Sequence, residues 1–202
     1  MSRFHGFLLA SVIVLALSGC AGATPTGEAT AGTSGAATPT PTVSQVQDPA
    51  DPTTWVISAE GVGPARLGQS LTNVEAAFPG YVDVSDRNEC PNTLVTFLGP
   101  AGSTMADSPL LLVADETESL IGIAVTYAGP QTVDGIGVGS TAEAVKTAYP
   151  TAIPGSRGPT TEKNLLTVKG SPGWVSYEIA DGATIRQVDV MSGALPPYEF
   201  CG

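Results

Sequence analysis

Hydrophobic positions fall along this chain in three regimes. Residues 7–17 (FLLASVIVLAL) form one continuous apolar run. Residues 21–50 mix Thr, Pro, Gly and Ala, with no aromatic side chain and few large aliphatics. From residue 51 onward the apolar positions become periodic. In GQSLTNVEAAFP (68–79) Leu71, Val74, Ala77 and Phe78 recur at helical spacing, and Ala142, Val145, Ala148 and Tyr149 do the same in GSTAEAVKTAYP (139–150). The two windows align without gaps. Ser70 and Thr141 stand where an N-cap hydroxyl satisfies the free N–H groups of a first helical turn, and Pro79 and Pro150 stop each helix. Strand signals follow each window, at residues 93–98, 109–114 and 120–127 in the first half and at 165–169, 174–179 and 184–191 in the second. The turns between them are short, with ADG at 180–182 the clearest hairpin signal. Consecutive strands joined this way predict antiparallel sheet and an α+β class. The chain reads as two tandem repeats, about 54–129 and 130–202, each a short helix followed by about three to four strands. A further short strand is expected before each helix, at 54–57 and at Val133.

The apolar run is eleven residues long, whereas a helix needs about 20 to cross a bilayer core, so it reads as a targeting segment. Arg3, with His5 nearby, precedes it, and small residues follow, as in a secretory signal peptide. The sequence Leu17, Ser18, Gly19, Cys20 resembles the lipobox of bacterial lipoproteins. That resemblance implies removal of residues 1–19, a diacylglycerol thioether on Cys20, and an exported protein held on the outer face of the cytoplasmic membrane. One acyl chain binds marginally and two or three hold firmly, at about 0.8 kcal/mol per buried methylene. Residues 20–50 then form a spacer too poor in apolar surface to fold, of roughly 30 Å average span by flexible-linker scaling. Thr-Pro repeats within it, at 38–42, have the composition of O-glycosylation substrates. Residues 51–202 are long enough for one domain with its own core.

Arg3 is the sole charged residue of 1–19, so the remaining chain carries seven basic and nineteen acidic residues, net −12. Such a surface repels nucleic acid and anionic headgroups, which argues against a DNA partner and leaves the lipid as the contact with the membrane. With Cys20 assigned to lipid, Cys90 and Cys201 remain, and in an oxidising compartment they are expected to pair. The alternative is two free thiols.

The helix-then-sheet pattern resembles the tandem repeats of the beta-lactamase inhibitory protein family and of small envelope lipoproteins. Gly68, Ser70 and Val74 carry the likeness in one half, and Gly139, Thr141 and Val145 in the other. The resemblance implies that fold and makes protein binding conceivable. It transfers no functional residue.

Catalytic chemistry finds little footing. His5 is the one histidine, and it falls in the segment expected to be removed, so Ser-His-Asp and Cys-His mechanisms and most zinc sites have no imidazole to use. The glycines of GVGP (61–64) and GIGVG (135–139) lack phosphate-loop spacing. Acid clusters at 83–89 and 115–118 fit no EF-hand, and neither metal nor cofactor is expected. Asp83, Asp86 and Glu89 keep open a hydrolase acting on wall polymer, and a spacer without a ligand is a third reading. Alternation along 174–179 puts Val175, Tyr177 and Ile179 on a core face, leaving Trp174 and Glu178 outward; Gln187 and Asp189 join them from the last strand. These four form the expected binding surface, for a protein or envelope component. Trp174 packed beneath a loop is the alternative.

Intact-protein mass spectrometry should find Cys20 as the lipidated first residue of the mature chain. Cys20→Ala should release the domain from membranes or leave the precursor uncut. An unmodified Cys20, or a mature terminus elsewhere, would refute the assignment.

Overall fold

The computed structural model describes residues 46–159, 162–180, 183–197 and 199–201. Residues 1–45, with the targeting run, Cys20 and most of the spacer, lie outside the described residues.

A 3-10 turn, Pro52–Thr54, opens the described chain and leads into three two-residue strands, β1 (Ile57–Ser58), β2 (Gly61–Val62) and β3 (Ala65–Arg66), which pair antiparallel in that order. Helix α1 (Leu71–Ala76) follows, then β4 (Tyr81–Asp83), β5 (Val95–Pro100), β6 (Leu110–Ala114) and β7 (Leu120–Val125). After α2 (Ala142–Ala148) come β8 (Ile153–Gly155), β9 (Leu165–Lys169), β10 (Trp174–Ile179) and β11 (Ile185–Met191). The last eight strands form one antiparallel sheet in the order β4-β5-β6-β7-β11-β10-β9-β8. The class is therefore α+β. Six of these strands coincide with the sequence signals to within about two residues, the usual uncertainty of element ends. The fourth strand of each half differs from expectation. In the large sheet it lies after the helix, as β4 and β8 at the two edges; before α1 the strand expected at 54–57 is met in part by β1, which shares Ile57 with it and pairs in the small sheet, while Val133 belongs to no strand.

Both helices are entered through the same set of bonds. Gly68 and Gly139 have positive φ (82° and 91°), which glycine adopts freely. Their N–H groups donate to Leu120 O and Ile185 O, the first residues of β7 and β11 (both 2.8 Å). The first helical N–H groups, of Leu71 and Ala142, donate to Glu118 O (2.9 Å) and Ala183 O (2.8 Å). Glu118 and Ala183 are the non-glycine residues that take positive φ among the described residues (59° and 65°), which turns their carbonyls toward the helix ends. Thr141 caps α2 as expected, its Oγ1 accepting from Ala144 N at 3.1 Å. Ser70 makes no side-chain cap bond, a correction to the sequence reading; the Glu118 carbonyl already serves that helix end.

Residue alternation sorts the large sheet into two faces. On one, Leu98, Leu110, Leu112, Ile123, Val125, Val188, Val190, Val175 and Tyr177 pack against Val74 and Val145 of the helices and against Trp55, Val62 and Ala65. The opposite face holds a smaller cluster, Val95, Leu111 and Ala124, closed over by Cys90, Cys201 and Phe200. Cys90 and Cys201 form a disulfide that joins the loop after β4 to the C-terminal end, 111 residues apart. The residues that follow β11 are thus held against the face the helices leave open. Asn92 adds a bond, its Nδ2 donating to Phe200 O at 3.0 Å.

Cys201→Ser should lower unfolding free energy by about 2–4 kcal/mol, the usual range for a long-loop disulfide, in urea titration. Non-reducing peptide mapping should recover the Cys90–Cys201 pair, and free thiol at either position in native protein would contradict it.

Candidate functional site

The four residues expected to face outward on the last strands occupy one face of β10 and β11. Register places Glu178 opposite Gln187, Ser176 opposite Asp189, and Trp174 opposite Met191. Their exposure departs from expectation in two cases. Glu178 is 2% exposed and Asp189 fully buried, so neither presents a carboxylate to a partner. Gln187 and Trp174 are half-buried.

Arg157, in the turn after β8, explains the burial. Its side chain crosses the face and is itself nine-tenths buried. Its Nη2 pairs with Asp189 Oδ2, and its Nε stands 3.1 Å from Glu178 Oε2, an ion pair without hydrogen-bond geometry. Arg186 pairs with the other Glu178 oxygen from the solvent side. Gln187 Nε2 donates to Asp189 Oδ1 at 2.7 Å. The chain after β11 closes the cluster: Arg157 Nη1 donates to Pro197 O at 3.4 Å, and its guanidinium lies 5.6 Å from the centroid of the Phe200 ring. Two carboxylates are thus matched by two guanidinium groups. Burial pushes the Asp189 carboxyl up to about 6, against the opposing pull of Arg157 and the Gln187 bond, with Glu178 adding to the rise. A cavity of about 350 Å³ opens beside this cluster, between Arg186, Gln187, Glu199 and Phe200.

Sequence reasoning missed Arg157. It sits in a glycine-containing turn, SRG, where nothing local ties it to strands twenty or thirty residues away. The signal it left was indirect: two acids at alternating positions of strands otherwise full of Val and Ile need a cation if the face is covered.

Trp174 lies at the other end of the same face. The Lys169 ammonium stands 5.5 Å from the centre of its ring, a cation–π contact. Beside it a recess of about 210 Å³ runs between Ile153, Pro154, Thr167 and Leu195. Ile153 (56% exposed) and Leu195 (63%) leave apolar surface open at its rim.

The acid clusters serve their own turns. Asp83 pairs with Arg87 at 3.0 Å, and Asp86 Oδ1 accepts from the Asn88 backbone and side chain (2.8 and 2.9 Å). Asp115 Oδ1 accepts from the Thr117 hydroxyl, Thr117 N and Ser119 N, and these bonds hold its carboxyl below the usual value. Among the described residues no three His, Cys, Asp or Glu side chains gather as metal ligands. No family model, curated protein or solved structure matches the chain.

Arg157→Met should cost about 3–5 kcal/mol at pH 7, because it leaves the buried Asp189 carboxylate without a cation, while Glu178 keeps Arg186. The folded state holds the Asp189 proton more tightly than the unfolded chain does, about 6 against an ordinary 3.8. This group's contribution to stability therefore falls as pH rises through that window and is flat above it. The cost of Arg157→Met should accordingly shrink when urea titrations at pH 5 are compared with those at pH 7. A cost independent of pH would mean that Asp189 does not titrate in this window.

Proposed function

We propose that the protein is an exported, lipid-anchored binding module whose partner, a protein or envelope component, docks at the Trp174 end of the sheet face opposite the helices. The observation that carries this reading is the apolar recess bordered by Trp174, with Ile153 and Leu195 exposed at its rim. Aromatic anchors flanked by such surface are where interfaces concentrate binding energy. Gln187, toward the other end of the face, is a second contact residue. Glu178 and Asp189 act indirectly, holding Arg157 and the chain after β11 in place. Anchoring rests on the lipobox of residues 17–20, and the acidic spacer-borne domain would stand clear of the bilayer.

We infer further that the domain consists of two copies of one unit, helix then four strands. In support, α1 precedes β4 to β7 as α2 precedes β8 to β11, and the halves meet through β7 and β11. The paired helix-entry bonds of Gly68 and Gly139, and of Leu71 and Ala142, support the same inference.

Affinity capture from solubilised membranes with the full-length chain should retain a partner that Trp174→Ala loses or weakens about thirty-fold, the equivalent of about 2 kcal/mol at an interface hot spot. Capture unchanged by Trp174→Ala would rule out this surface. Turnover of a wall fragment that is abolished by Asp86→Asn or Glu89→Gln would overturn the binding reading.

A further inference from the structure

The two halves of the domain treat one position differently. Phe78 and Tyr149 each stand eight residues after the helix N-cap, and Gly63 and Asp134 each stand seven residues before it. In the first half an indole fills the space between them. Trp55 is 1% exposed, meets Phe78 edge-on at 5.0 Å between ring centres, and lies so close over Gly63 that a Cβ there would come within 2.8 Å of its ring. Its indole N–H donates to Asp48 O at 2.9 Å. In the second half, Tyr149 and Asp134 instead line a recess of about 210 Å³ on the helix side of the sheet, walled by Ile57, Val168, Val175 and Tyr177.

This recess has the character of a small-ligand site. An apolar cavity of about 150 Å³ suffices to hold benzene, so the volume here admits a one- or two-ring aromatic. The Tyr149 and Tyr177 rings stack at 5.9 Å, and the Tyr149 hydroxyl is bonded to Thr132 Oγ1 at 2.7 Å. Polar groups are thus fixed in an otherwise apolar wall, the usual make-up of a ligand pocket. Asp134 is exposed at the mouth and is the one charged side chain among the described residues that line the recess. Its carboxylate, on a strongly acidic chain, favours a cation there and disfavours an anion.

We propose that this recess binds a small aromatic amine, its planar ring seated beside Tyr149 where the other half holds Trp55, and its ammonium paired with Asp134. The site is on the helix side of the sheet and does not depend on the Trp174 surface.

The test uses full-length protein in detergent with three probes of one ring system: tryptamine, indole and indole-3-acetate. Calorimetry should show saturable one-to-one binding of tryptamine with Kd between about 0.1 and 1 mM, in keeping with the efficiency of ligands of this size. Indole should bind more weakly, by about five-fold, as expected of a partly solvated ion pair, and indole-3-acetate more weakly still. Asp134→Asn, at an exposed position, should bring tryptamine down to the level of indole. NMR shifts on tryptamine addition should centre on Tyr149 and Val175. No saturable binding at about 1 mM, an equal response to all three probes, tryptamine affinity unchanged by Asp134→Asn, or shifts centred on Trp174 would each overturn the proposal.

Discussion

Val125 lies opposite Val188 and Ile123 opposite Val190 where β7 and β11 pair antiparallel, and through this ladder two four-stranded halves become one sheet of eight. Because strand side chains alternate, this register decides both faces at once. It turns Ile123, Val125, Val188 and Val190 toward the helices, and it leaves Ala124 beside Asp189 on the other face. A slip of one residue would drive Asp189 into the main core and lift the valines out of it. The helix entries depend on the same ladder, since the carbonyls that receive Gly68 and Gly139 belong to the first residues of β7 and β11.

Two short helices and a three-stranded sheet cover only one face of eight strands. On the other, the chain after β11 supplies the cover, and the Cys90–Cys201 disulfide keeps it there. Arg157, Glu178 and Asp189 lie beneath. A buried ion cluster contributes little net stability compared with an apolar core of the same shape. Its effect here is on position: moving Arg157 leaves the buried Asp189 carboxylate without a cation. The same cluster lines the cavity at Gln187 and lies between it and the recess at Trp174.

The halves share their helix entries yet differ in what they pack beside the helix-end aromatic. Trp55, Phe78 and Tyr81 close one half as a cluster of three rings. Around Tyr149 the other half keeps two stacked tyrosines and a hollow. Filling the first space gives a well-packed core around α1. Leaving the second open forgoes the dispersion contacts that the indole makes in the first.

What the sequence determined by itself was local. The spacing of Leu71, Val74 and Phe78, and of Ala142, Val145 and Tyr149, specified two helices; alternation with β-branched residues specified six of the strands; and two remaining cysteines pointed to the pair that forms. These signals are legible because each reflects a period or a chemistry carried by neighbouring residues. The edge strands β4 and β8 were not legible, since three-residue strands acquire their identity from pairing with β5 and β9. The burial of Glu178 and Asp189 was equally hidden. Alternation says which face a side chain takes, but whether that face meets water depends on Arg157 and the C-terminal residues, which reach it from distant parts of the chain. The tertiary structure alone decided that, because an ion pair between remote residues leaves no periodicity in the sequence, and charged side chains are read as solvent-facing until a partner is brought to them.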